Sequence, residues 1–389
     1  MSPQKRVPNE LWIEIFGLLP LDSIKNIYAT DKHFARTSRA FLFRHFVFYP
    51  YHIDRVSRHV VLPAPDGVQF ALGRLEFWTS DEIFPLVREC SIALRDRRAE
   101  EARPVPLDRT ESPDILMNSF LDRLGRFTGL QKFSARQVDF TQVGLANLCH
   151  LPLLREVMIE RCGMLHGETI DTTSLELRTT KFVYHDGLTA HEGPDLWLSI
   201  LARGHLREVV VVTGRHKAAS RLADGPAFPH VVALQISLDL SDMNLVTLSK
   251  FPAVRHLQLD GWGLSGGEAE ASSVPASDVL PLLREYHGPY TALPLFLSRP
   301  TLAHLIIDCC TAWELSSQLR GQHGHITSLS ATLYQFDQET FSTICTCLPG
   351  LIDLRIQTYR IIEDDADAFM INNVASPWIS SSHWQIVST

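Results

Sequence analysis

The sequence of 389 residues lacks several features that would place it in a functional class at once. It has no C-x-x-C pair, and its seven cysteines are an odd number, which argues against a disulfide framework and for a reducing compartment. Excess basic charge is also missing, because 36 Lys and Arg stand against 44 Asp and Glu. The resulting net charge of −8 argues against nucleic acid as a partner.

Long apolar runs are absent as well. The longest purely aliphatic run, Val209–Val212, has the length of a buried strand, and no stretch approaches the ~20 apolar residues of a membrane span. Residues Met1–Pro8 lack the apolar core of a signal peptide. We therefore expect an intracellular protein, cytoplasmic or nuclear, with no membrane partner.

What is present is an ordinary globular composition, with 45% hydrophobic and 21% charged residues. Residues 7–46 have the apolar pattern of three short helices. Pro8 suits the start of the first helix and Pro20 ends it, while Asp22 or Ser23 is expected to cap the second. So short a segment cannot bury all of its apolar side chains internally, and the surplus must meet the rest of the chain or another protein. The apolar positions at helical spacing are Leu11, Ile15, Leu18, Leu19, Ile24, Ile27 and Tyr28.

The order of these residues resembles an F-box, the helical module that holds the Skp-type adaptor of cullin-based SCF ubiquitin ligases. The resemblance covers about a tenth of the chain. An alternative is an N-terminal helical cap that buries the same apolar stripe on the repeats that follow. The matching segments are Val7-Pro8-Asn9-Glu10-Leu11, Ile15-Phe16 and Leu18-Leu19-Pro20-Leu21-Asp22-Ser23-Ile24. The resemblance implies that the adaptor would be contacted by Pro8, Leu11, Ile15, Leu19, Pro20, Leu21 and Ile24.

The rest of the chain repeats a pattern of apolar residues at positions 1, 4 and 6, with starts about 25 residues apart. Proline lies two residues before the start in six of ten copies, far above the chance level of 22 prolines in 389 residues. Longer copies that start at Phe43 and Val87 fit the same pattern. The ten regular copies start at residues 130, 154, 179, 206, 231, 254, 283, 302, 326 and 351.

This pattern predicts one strand in each copy, because apolar residues at positions 4 and 6 suit a strand that alternates between inward and outward side chains. Proline before the strand favours an extended approach to it. The period is typical of leucine-rich repeats. The chain thus resembles an F-box protein with a divergent leucine-rich-repeat-like domain, of the fungal-type F-box family. The predicted fold class is α/β, with a short three-helix F-box followed by an irregular solenoid whose parallel strands line a concave face.

These patterns also divide the chain into segments. We predict an F-box module at 1–48, irregular first repeats at 49–125 with a charged, proline-containing loop at 95–113, a leucine-rich-repeat-like solenoid at 126–361, and an acidic cap or tail at 362–389.

Two catalytic motifs overlap in one glycine-rich segment. Gly261–Gly266 spells G-x-G-x-x-G, and Gly263–Gly267 spells G-x-S-x-G with Ser265 as the potential nucleophile. Asp308 and His323 follow in the order that a hydrolase would need. However, Ser265 falls in the loop that lengthens one repeat, so a loop between repeats is favoured over a hydrolase or a dinucleotide site. We predict no catalytic residue, no cofactor and no metal.

Positions 3, 5 and 7 of each copy are expected to point to the open face of the sheet, where neighbouring strands lie ~4.8 Å apart. They would bring several histidines and acids together. A metal site, a pH-sensitive binding patch and ordinary cross-strand charge pairing remain open for this cluster, and charge pairing is favoured. The candidate target-binding face comprises His256, Gln258, Asp260, Glu285, His287, His304, Asp308 and Arg355, flanked by Glu208, Gln235, Asp353 and Gln357.

Together these features predict the substrate-recognition subunit of an SCF-type E3 ubiquitin ligase. The F-box would dock on the Skp-type adaptor, and through it on a cullin-RING ligase, while the repeats would hold a target protein. The alternative is a repeat scaffold that binds other proteins without any ligase.

Overall fold

A computed structural model describes most of the chain. The chain divides into two compact units, Met1–Ala202 and Arg203–Thr389. Among the described residues, no helix combines the length and the apolar character needed to cross a membrane. The described ranges are 7–54, 60–61, 63–93, 95–97, 115–164, 171–185, 195–212, 227–237, 245–260, 279–334 and 336–358.

The first unit opens with the three predicted helices, α1 (Asn9–Leu18), α2 (Leu21–Tyr28) and α3 (Lys32–Leu42). The prediction that Asp22 or Ser23 caps α2 is wrong, because that helix already begins at Leu21 and its cap position is Pro20, which offers no side-chain acceptor.

The third helix is capped by Asp31, whose carboxylate accepts a hydrogen bond from the backbone N–H of His33 at 2.6 Å. It ends at Leu42, four residues earlier than its apolar pattern suggests. The chain after it is needed for the first strand, which begins at His45.

Strands follow in the first unit, and five of them form its main, parallel sheet in the order β1-β4-β6-β8-β10, whereas β3 pairs antiparallel with β2. The strands of this unit are β1 (His45–Phe48), β2 (His52–Asp54), β3 (Val60–Val61), β4 (Glu89–Ala93), β5 (Arg95–Arg97), β6 (Lys132–Arg136), β7 (Asp139–Phe140), β8 (Glu156–Glu160), β9 (Gly163–Met164) and β10 (Lys181–His185). Its remaining α-helices are α4 (Pro65–Trp78), α5 (Ile115–Arg123), α6 (Gln142–Cys149) and α7 (Asp195–Ile200).

The second unit continues with seven parallel strands, each paired with the next one along the chain. These strands are β11 (Glu208–Val212), β12 (Ala233–Ser237), β13 (His256–Asp260), β14 (Glu285–Gly288), β15 (His304–Cys310), β16 (Ser328–Leu333) and β17 (Asp353–Thr358). The α-helices described between them are α8 (Leu245–Ser249), α9 (Ala312–Gln318) and α10 (Gln338–Cys347), and a 3-10 helix, Tyr290–Leu295, lies between β14 and β15. The described chain is therefore α/β, with parallel strands in a repeating order, as predicted.

The phase of the repeat is confirmed in every copy. Each of the ten regular strands begins at position 3, as do the strands of the two longer copies. In the copy that starts at Val254, positions 1, 4 and 6 are Val254, Leu257 and Leu259, which are at most 2% exposed. The apolar positions form the core because they lie on one face of a strand whose side chains alternate.

The six prolines that precede the copies do not lead into the strands through the expected extended segment. Each lies second in a four-residue turn, a position that its fixed φ suits. In the turn at Pro252, the N–H of Val254 donates to the carbonyl of Phe251 at 3.2 Å. The residue before the proline starts the turn and is buried, as Phe251 is, which explains why it is apolar in five of the six copies.

In the sixth copy the residue before the proline is Arg299, and hydrogen bonds explain how this charged side chain is buried. It is only 5% exposed, yet its guanidinium donates to the carbonyls of Leu295 and Val279 and lies 4.9 Å over the ring of Phe296. Backbone carbonyls thus accept hydrogen bonds from the buried guanidinium, at a position where the other copies bury an apolar side chain.

The predicted loop at 95–113 is wrong at its start. Arg95–Arg97 form β5, because their backbone pairs in parallel with β2. The remainder of that loop from residue 98 lies outside the described residues, as do the glycine-rich segment with Ser265 and the predicted tail at 362–389.

Candidate functional site

Helix α1 has two apolar faces with different surroundings. Its aromatic face packs on α3, where the ring of Phe34 lies 4.9 Å from Trp12 and 5.9 Å from Phe16. Phe16 is 1% exposed. Leu11 and Ile15 each precede one of these aromatic residues, so they lie about 100° around the helix axis. They are 47% and 41% exposed.

The exposed apolar residues continue from α1 to the start of α2. Leu18 is 87% exposed and Leu21 is 50% exposed. We call Leu11, Ile15, Leu18 and Leu21 the apolar docking face. One exposed leucine is ordinary on a protein surface, but four exposed large aliphatic side chains on one helix and the start of the next form a candidate interaction site.

The structure separates the seven residues predicted to face an adaptor. Pro8, Leu11, Ile15, Pro20 and Leu21 are exposed, and Leu19 is half-buried. Ile24 is only 4% exposed, which corrects its predicted role, because its side chain is used in the packing of α2. The alternative of a cap that buries Leu11, Ile15 and Leu18 on the repeats disagrees with their exposure.

A second candidate surface lies on the sheet of the second unit. His256, Glu285 and His304 are in register on the adjacent strands β13, β14 and β15, as the repeat phase predicts. We call the outward-pointing positions 3, 5 and 7 of these strands the polar sheet face. The residues predicted there come together, except Arg355, which lies on β17 with β16 in between.

Cross-strand hydrogen bonds connect the polar sheet face. His256 Nδ1 lies 3.3 Å from Glu285 Oε2, and His287 Nε2 lies 3.1 Å from Asp308 Oδ1. The hydrogen bond from His287 to Asp308 raises the pKa of the imidazole above its ordinary value, although partial burial acts in the opposite direction.

Asp260 accepts hydrogen bonds from two amides, one on its own strand and one on the neighbouring strand β12. Gln235 Nε2 donates to one carboxylate oxygen at 2.6 Å, and Gln258 Nε2 donates to the other at 2.9 Å. Of the three roles left open by the sequence, these contacts fit cross-strand pairing. No group of three or more His, Cys, Asp or Glu side chains in the described ranges is arranged to hold a metal ion.

The flanking residues lie on strands to either side of this face. Arg355 pairs with Asp353 on its own strand at 3.2 Å, and Gln357 lies farther along the same strand. Glu208 occupies position 3 of β11, next to Ala233 of β12. Asp308, which the hydrolase hypothesis would have needed as the partner of His323, accepts its hydrogen bond from His287 instead.

Sequence reasoning missed two arginines beside the polar sheet face. Arg255 and Arg284 occupy position 2 of their copies, at the N-terminal ends of β13 and β14, and both are exposed. They line an open groove of about 520 Å³ together with Thr301, Ala303, His304 and the His256–Glu285 pair. The recurrence of arginine at position 2 was a signal in the sequence; it occurs at Arg44, Arg88, Arg155, Arg207, Arg255 and Arg284.

Comparison with known proteins gives no assignment. No protein-family model matches the chain, and no curated protein shows significant similarity to it.

Proposed function

We propose that this protein is the target-recognition subunit of an SCF-type ubiquitin ligase, and that the apolar docking face binds the Skp-type adaptor. The supporting observation is that Leu11, Ile15 and Leu18 remain exposed on a helix whose other face is already filled by Trp12 and Phe16. The helix is therefore folded without these three side chains, which leaves them free for a partner.

The size of the face supports a stable contact. Full burial of one large aliphatic side chain contributes about 1.5–3 kcal/mol. Leu18 is 87% exposed and keeps most of that contribution for binding, whereas Leu11, Ile15 and Leu21 are 41–50% exposed and keep about half of it. Part of it is offset by the cost of association, as in other protein interfaces.

The repeat units would supply the second half of the function. Their strands present a row of polar side chains in register, and the polar sheet face is the candidate contact for a target protein. The chain would act by position, since holding a target and an adaptor on one polypeptide raises the effective concentration of each near the other. This mechanism requires no covalent chemistry, cofactor or metal from the chain itself.

A pull-down of the full chain against a purified Skp-type adaptor tests the proposal. We expect the adaptor to bind the native protein and to be lost from Leu11→Asp/Ile15→Asp, because two carboxylates would be desolvated in the interface. The matched control is Leu153→Asp/Ile352→Asp, which introduces the same charges at residues that are 47% and 74% exposed in the repeats.

Circular dichroism of both variants completes the test. If both fold and only the first loses the adaptor, the docking face is established. If the folded native protein does not bind the adaptor, the ligase proposal is wrong, and a scaffold that binds other proteins without a ligase remains.

A further inference from the structure

The groove at the N-terminal ends of β13 and β14 exists because the neighbouring copy has a short side chain, Ala303, at position 2. Arg255 and Arg284 occupy position 2 on these adjacent strands, and the corresponding residue of the next copy is Ala303. Alanine leaves free the volume that a long side chain would fill there. The two guanidinium groups therefore border an open space, with His304 and Thr301 on its other side.

Three other arginines at position 2 have partners within the fold, whereas Arg155 has none among the described residues but does not line this groove. Arg44 pairs with Glu89 at 3.6 Å. Arg88 Nη1 donates to the carbonyls of Pro85 and Gly129, each at 2.9 Å. Arg207 Nη1 donates to the carbonyl of His230 at 3.2 Å.

In contrast, the guanidinium groups of Arg255 and Arg284 make no hydrogen bond or ion pair within the described part of the chain. Neither arginine is needed to hold a turn, so both remain available to a ligand.

The charge of the groove is opposite to that of the whole protein. The chain carries a net charge of −8, but the groove has two arginines and two histidines beside a single carboxylate. That carboxylate, Glu285, already lies 3.3 Å from His256. The electrostatic potential in the groove therefore favours an anion. Because the rest of the protein is acidic, long polyanions are repelled outside this patch.

We propose that this groove binds an acidic segment of the target protein, through oxyanions held by Arg255 and Arg284. The planar guanidinium suits carboxylate or phosphate oxygens because it offers paired N–H donors. Asp260 lies at the C-terminal end of β13, and Asp308 lies toward the C-terminal end of the neighbouring strand β15. These two carboxylates set the direction of the ligand, because an anion is repelled by them and attracted by the arginines at the N-terminal ends. As a statement about the target, this inference rests on the proposed function.

The test measures binding of a fluorescent peptide to the full chain by anisotropy. The probe is a Gly/Ser peptide that carries a short run of Glu, compared with a neutral version in which Gln replaces Glu and with a version in which phosphoserine replaces Glu. We expect both anionic peptides to bind and the neutral one to bind at least about tenfold more weakly. The tighter of the two anionic probes identifies carboxylate or phosphate as the preferred source of the oxyanion.

Two double variants give the test its specificity. Arg255→Gln/Arg284→Gln should weaken anionic binding at least about tenfold, since charge-assisted hydrogen bonds are lost. Arg155→Gln/Arg320→Gln removes the same charge from two exposed arginines outside the groove and should leave affinity unchanged.

Three results would overturn the inference: no binding of either anionic peptide, equal binding of the neutral peptide, or equal losses in both double variants. The adaptor pull-down remains a separate measurement. Arg255→Gln/Arg284→Gln should keep the adaptor, and loss of the adaptor from Leu11→Asp/Ile15→Asp should leave peptide binding intact, so that failure of either proposal is recognised by itself.

Discussion

His287 on β14 donates a hydrogen bond from Nε2 to Oδ1 of Asp308 on β15, at 3.1 Å. This bond raises the pKa of His287, and the carboxylates of Asp260 and Glu285 act in the same direction, against partial desolvation. The imidazole therefore keeps its proton to a higher pH than an ordinary histidine. The polar sheet face is more positive near neutral pH than its sequence suggests.

Asp308→Asn should lower the pKa of His287, because the amide keeps a hydrogen-bonding group but removes the negative charge. An NMR titration of the imidazole signals measures this directly. A folded-state pKa raised above the unfolded value means that the pair stabilises the protein below the unfolded pKa, near 6.5, and that this contribution disappears as the pH rises through the folded pKa.

The contribution is expected to be about 0.2–1 kcal/mol, since His287 and Asp308 are 34% and 49% exposed. Urea unfolding at several pH values, native against Asp308→Asn, should show a difference at low pH that fades at high pH. An identical His287 titration in the two proteins would contradict the assignment.

The two faces of α1 should differ in their importance for folding. Phe16→Ala is expected to cost about 3–5 kcal/mol of unfolding free energy, because the ring is buried against Phe34 and Phe41. Leu11→Ala should cost less than about 1 kcal/mol, since half of that side chain is already exposed. Chemical denaturation measures both changes, and equal losses would mean that Leu11 is part of the core.

Replacement by alanine should change the stability of the protein in opposite directions at two glycines. Gly288 has φ of +155°, and a Cβ there would lie 2.8 Å from the carbonyl oxygen of Leu259, so Gly288→Ala should destabilise the protein by about 1–3 kcal/mol. Gly73 lies inside α4 with open space around its Cα, so Gly73→Ala should stabilise it by about 0.5–1 kcal/mol. Thermal unfolding compares the two, and a stable Gly288→Ala protein would argue against the tight approach of β13 and β14.

Arg299→Leu would restore the apolar residue found before proline in the other copies, yet it should destabilise the protein. The guanidinium satisfies the carbonyls of Val279 and Leu295, and a buried acceptor left without a partner costs about 1–3 kcal/mol. Arg320→Leu, at an exposed arginine, serves as the control and should change stability by less than about 0.5 kcal/mol. A gain in stability on Arg299→Leu would show that the hydrogen bonds matter less than the apolar pattern.

The positions of the twelve repeat strands could be predicted from the sequence because the signals are local. Alternation of side chains along a strand places positions 4 and 6 on one face, and the turn at each proline sets where the strand begins. The register that joins His256, Glu285 and His304 followed from the same phase. The three N-terminal helices were also predicted, with an error of one or two residues at the second helix and about four at the end of the third.

Tertiary structure decided which of these residues remain available. The apolar pattern of α1 and α2 treats Leu11 and Ile24 alike, but Ile24 packs inside while Leu11 is exposed, because α3 covers only one side of the helices. Arginine recurs at position 2, but whether it holds a turn, like Arg88, or borders an open groove, like Arg255, depends on the carbonyls and side chains that the neighbouring copy brings near. The sequence by itself determined where the strands of the repeat lie, since that depends on neighbours along the chain. The short strands β2, β3, β5, β7 and β9, like the exposure of each side chain, depend on neighbours in space, and only the packed structure supplies those.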